Sequence, residues 1–88
     1  MDPQTFESWM RRAEMLKLSA DAHGQQYWDG YRRGLRRHYH GEKFGTAEEH
    51  AQWMDLRNDP LPDRAELGRG YVAGFRGNDP DINNQKRP

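Results

Sequence analysis

A chain of 88 residues has room for one domain and one core, which excludes a nucleotide-binding fold with a separate substrate domain. Only 33% of its residues are apolar and 32% are charged, so the three Trp, four Tyr and three Phe must supply most of the buried area. Fourteen basic and fourteen acidic side chains cancel, which removes the overall positive field that draws a protein to nucleic acid. The absence of cysteine excludes a disulfide framework, a thiolate zinc site and a Cys nucleophile, and suits a reducing compartment. With no apolar run of membrane-spanning length and no secretory signal, the expected setting is soluble and cytoplasmic, away from any membrane.

In chain order, Asp2 and Pro3 provide a cap and first turn for a helix whose apolar stripe is Phe6, Trp9, Met10, Ala13 and Leu16. A second helix is expected to begin near Ser19 or Asp21. It carries Gln26, Tyr27, Trp28, Tyr31, Leu35 and Tyr39 at helical spacing and stops at Gly41, with Gly24 as its weak point. Thr46-Ala47-Glu48-Glu49 has the form of a capping box and starts a third helix with Ala47, His50, Ala51, Trp53 and Met54 on its apolar face. Asn58-Asp59-Pro60-Leu61-Pro62 ends it. Asp63 and Glu66 suggest a second capping arrangement for a fourth helix carrying Leu67, Tyr71, Val72 and Phe75, which stops at Gly77. The expectation is an all-α domain of about four helices over residues 1–77, followed by a flexible tail over 78–88. The expected core is Phe6, Trp9, Met10, Leu16, Tyr27, Tyr31, Leu35, Trp53, Met54, Leu67, Tyr71 and Phe75.

One motif occurs twice. Gly30-Tyr31-Arg32-Arg33-Gly34-Leu35-Arg36 returns forty residues later as Gly70-Tyr71-Val72-Ala73-Gly74-Phe75-Arg76. A glycine inside a helix costs about 1 kcal/mol relative to alanine, so two such pairs need a packing reason. Glycines four apart share a face and admit a neighbouring backbone, so the two G-Y-x-x-G helices are expected to pack on each other.

Two short helices built around G-Y-x-x-G, with a Trp between them, resemble the ribosome modulation factor family, small bacterial proteins that dock on ribosomes and silence them. The resemblance is best over Arg69-Gly70-Tyr71-Val72-Ala73-Gly74 and extends to Trp28 through Gly34. It implies a ribosome- or RNA-binding regulatory module. The family is shorter and strongly basic, whereas this chain is neutral and has an additional N-terminal helix.

The one dense basic-aromatic stretch is Arg32, Arg33, Arg36 and Arg37 with Tyr31, His38, Tyr39 and His40. Such a mixture serves phosphate contacts with stacking, an acidic protein partner, or a solvated helix face. The candidate partner-binding residues are Arg32, Arg33, Arg36, Arg37 and Tyr39, with Trp28 and Phe44 as exposed aromatics. His38, His40 and His50 with Glu42, Glu48 and Glu49 lack the spacing of an established metal motif, so no metal or other cofactor is expected. No nucleophile-base pair or phosphate loop after a strand is recognisable, which points away from an enzyme. The reading that follows is a non-catalytic inhibitor or adaptor with a protein or ribonucleoprotein partner, nucleic acid being secondary. In general character it is similar to small accessory proteins of phages and mobile elements, including anti-defence proteins of the anti-CRISPR kind.

Overall fold

The computed structural model describes residues 1–81, and its elements begin where the local capping chemistry puts them. Helix α1 spans Pro3–Leu18, with Asp2 accepting the Thr5 N–H. Helix α2 spans Ala22–His40 under an Asp21 cap that accepts the Gly24 N–H at 2.8 Å, so Gly24 sits inside the first turn without breaking the helix. Gly41 ends α2 at a φ of 65°, a conformation glycine adopts at little cost. A 3-10 turn at Gly41–Lys43 leads to α3, Ala47–Asp55, which opens on the Thr46–Glu49 capping box. A second 3-10 turn, Leu56–Asn58, connects to α4, Pro62–Phe75. Among the described residues there is no strand, and no helix is long and apolar enough to cross a membrane.

The fourth helix starts differently from the sequence expectation. Pro62 occupies the first helical position and Leu61 precedes it, so Asp63 is already inside the first turn and makes no cap. Asp59 does that local work, accepting the Leu61 N–H and the Arg64 Nε–H at 2.9 Å each. Glu66 is buried and accepts from Arg69 on the same helix.

Helices α2 and α4 make the main contact of the domain, with α1 laid on α2 and α3 on α4. Their contact is backbone on backbone. A Cβ added to Gly30 would run into the Leu67 carbonyl and come 2.9 Å from the Tyr71 nitrogen. One on Gly70 would run into the Tyr27 carbonyl and come 2.9 Å from the Tyr31 nitrogen. Gly34 stands in the same way against Tyr71 and Phe75, and Gly74 against Tyr31 and Leu35. Each contact maps onto its counterpart by a shift of forty residues, and so do the helix starts, Ala22 and Pro62. The G-Y-x-x-G repeat is therefore a reciprocal crossing. Contacts from glycine Cα–H to facing carbonyls, worth about 0.5–1 kcal/mol each, offset the helix propensity the glycines give up.

Ala13, Trp28, Tyr31, Leu35 and Ala73 form the buried centre, ringed by half-buried Phe6, Trp9, Met10, Leu16 and Tyr27. Tyr71 is also buried, whereas Trp53, Met54, Leu67 and Phe75 are only half-buried. The polypeptide stays packed beyond Gly77: the Tyr31 hydroxyl donates to the Asn78 carbonyl at 2.7 Å, Pro80 is fully buried, and Arg12 pairs with Asp81 at 2.7 Å. Packing thus continues past residue 77, the expected end of the helical domain. Residues 82–88 of the expected tail lie outside the described residues.

Candidate functional site

The four arginines of α2 do not act as one surface. A helix turns by about 100° per residue, so Arg32 and Arg36 share one direction while Arg33 and Arg37 share another. The 41–46 loop and α3 occupy the second direction. There the Arg37 guanidinium, only 8% exposed, donates from Nη1 to the Phe44 and Gly45 carbonyls at 3.0 Å each. Arg33 lies over the Phe44 ring at 5.4 Å and the Trp53 ring at 4.6 Å, with the Glu49 carboxylate at 3.7 Å. These two arginines hold the loop and α3 against α2. Arg37 is thereby buried rather than presented to a partner, whereas the Arg33 side chain stays 36% exposed while it covers the Phe44 ring.

Trp28 also departs from the expectation of an exposed aromatic, being 3% exposed. It precedes Tyr31 by three and Leu35 by seven, which puts it on the same buried stripe, and its ring meets Tyr31 edge to face at 5.3 Å. Tyr39 is half-buried and stacks on Phe6 of α1, with centroids 4.3 Å apart and planes 8° from parallel.

What remains is the α1-facing pair. Arg32 and Arg36 line a groove with Arg11, Phe6, Met10, Glu7, Glu14 and His40. Among the described residues none of the three arginines forms an ion pair. The Arg32 Nε is buried and has no hydrogen-bond acceptor among the described residues, an expensive state for a charged donor. Burial and the neighbouring guanidiniums of Arg32 and Arg33 lower the pKa of Arg36. The groove therefore presents three guanidiniums without ion-pair partners among the described residues beside an apolar strip, with Glu7 and Glu14 on the same lining. Sequence reasoning missed its α1 wall. Arg11 follows Met10 directly, but its proximity to Arg32 and Arg36 depends on how α1 docks.

A second, larger cleft lies between α3 and α4, lined by Trp53, Leu56, Pro60 and Leu67 with a polar rim. Its charged rim is self-satisfied: Asp59 holds Arg64 and the Leu61 N–H, and Asp55 accepts from Asn58. The histidines singled out in the sequence have structural partners. His38 Nδ1 lies 2.8 Å from the Phe75 carbonyl, His50 Nδ1 lies 2.7 Å from the Tyr71 hydroxyl, and His40 meets Phe6 edge on at 5.5 Å. Comparison with known protein families, curated proteins and solved structures finds no match.

Proposed function

We propose that this protein is a non-catalytic helical binding module, an inhibitor or adaptor, that engages a protein partner through the α1–α2 groove around Arg32 and Arg36. The observation that carries the reading is the set of three guanidiniums, Arg11, Arg32 and Arg36, that form no ion pair among the described residues and lie beside Phe6 and Met10. An apolar strip within a charged rim is the composition of a protein interface. Glu7 and Glu14 on the same groove favour a protein over RNA, because successive phosphates would be brought against two carboxylates.

Co-purification of the tagged chain from its native host, with RNase-treated and untreated arms, tests this reading. The partner is expected to survive RNase. Its affinity is expected to fall far less than the ~10³-fold, between about 50 and 200 mM salt, that several phosphate contacts would produce. Capture that vanishes with RNase and falls that steeply would replace the reading with the ribosome- or RNA-binding one.

A further inference from the structure

Resting on that reading of the groove, we infer that its occupant is a single acidic side chain of the partner protein, its carboxylate seated against Arg32 and Arg36 and its flanking apolar residues on Phe6 and Met10. Two features of the groove specify this chemistry. The first is the Arg32 guanidinium, which lines the groove and makes no ion pair among the described residues. The second is the crowding of like charge. Arg36 follows Arg32 by four residues on one helix face, and Arg11 approaches from α1. Burial together with the guanidiniums of Arg32 and Arg33 weakens the hold of Arg36 on its proton, so an anion placed here relieves a repulsion that the free protein carries.

The same groove limits what the anion can be. A carboxylate matches the planar fork of a guanidinium and brings one negative charge. Glu7 and Glu14 flank the site, so a phosphate dianion, and still more a chain of phosphates, meets repulsion that one carboxylate largely escapes. Phe6 is held by its stack on Tyr39, which fixes an apolar wall beside the charge before any partner arrives. An Asp or Glu set among aliphatic side chains on a partner helix fits both features.

The test uses the whole chain and needs no knowledge of the natural partner. The Nε–Hε resonances of Arg32 and Arg36 are followed by NMR during titration with a blocked helical peptide carrying glutamate and leucine on one face. Parallel titrations use the same peptide with glutamine for glutamate, and an oligouridylate. The glutamate peptide is expected to shift both resonances saturably, and the glutamine peptide to bind about tenfold or more weaker, the loss that accompanies removal of one charge-assisted hydrogen bond. Arg32→Lys keeps the charge but removes the planar guanidinium fork, and is expected to weaken the glutamate peptide by a similar factor while melting like the parent. Silence towards the glutamate peptide, equal binding of the glutamine peptide, tighter binding of the oligouridylate, or parental affinity in Arg32→Lys would each overturn the inference. Because these titrations are independent of the native partner, a negative result here beside an RNase-resistant, groove-dependent partner rejects the carboxylate alone. Peptide binding beside a partner indifferent to the groove rejects the functional reading instead.

Discussion

Replacing Gly34 by alanine adds one methyl group where the α2–α4 crossing leaves no space for it. Besides overlapping the Tyr71 carbonyl oxygen, the new Cβ would stand 2.8 Å from the Phe75 nitrogen and from the Tyr71 carbonyl carbon, where ordinary contact begins near 3.4 Å. None of these atoms belongs to a side chain that can rotate away, and because the Tyr71 oxygen lies nearest the helices must separate by more than the roughly 0.6 Å that the other two contacts alone require. A gap of about 0.5–1 Å forfeits a quarter to a half of each dispersion contact across it, and this interface seats Tyr31, Leu35 and Tyr71. Overpacking of this kind costs about 1–3 kcal/mol beyond the helix propensity that alanine returns. For a domain of this size the melting temperature should fall by about 5–20 °C. Gly74→Ala, its counterpart forty residues on, should cost a similar amount. The double variant should cost clearly less than the sum, since one separation of the helices accommodates both methyls. Thermal melts followed by circular dichroism read all three. A Gly34→Ala protein that melts at or above the parent temperature, or a strictly additive double variant, would refute the backbone-contact account.

Arg37→Met should destabilise the fold by about 2–3 kcal/mol, because it strips the Phe44 and Gly45 carbonyls of a charged donor, whereas Arg36→Met should stay within about 0.5 kcal/mol in the same urea titration. Stability should also depend on pH through His50, whose pKa is lowered from 6.5 first by burial and then by the charge of Arg37, with Arg33, Glu49 and Tyr71 as further neighbours. The unfolded chain therefore takes up this proton before the folded one does. The His50 contribution is complete above pH 6.5 and is lost as pH falls below that value. Melting temperatures measured between about pH 5 and 7.5 should decline towards acid, and His50→Gln should flatten that decline.

Much of the fold is legible in the sequence because its boundaries are fixed locally. Asp2 with Pro3, Asp21, and the Thr46–Glu49 pair each satisfy backbone N–H groups within their own first turn, and Gly41 and Gly77 supply positive φ where helices stop. The crossing is legible for a different reason: glycines placed at a cost inside helices must be offset by close approach. At the start of α4 two local signals compete, an Asp63 cap and a Pro62 first turn, and the proline wins with Asp59 supporting it from outside the helix. The division of the arginines is not legible, since it depends on which neighbour occupies each flank of α2. Loop 41–46 folds back on Arg33 and Arg37, and α1 covers the side of Arg32 and Arg36 without supplying a partner for their charge. Pro80 is hidden for the same reason. Its immediate neighbours Asp79 and Asp81 are charged, and its burial follows from Asn78 and Asp81 being tied to Tyr31 and Arg12.

The most direct measurement of the central claim is the amount of native partner captured by Arg11→Ser/Arg32→Ser/Arg36→Ser relative to the parent chain, with circular dichroism confirming that both are folded. These side chains make no ion pair among the described residues, so their removal should leave the melting temperature within a few degrees of the parent. The account predicts a folded variant that has lost its partner. A folded variant that captures the partner at the parental level would contradict it and show that binding lies elsewhere on the molecule.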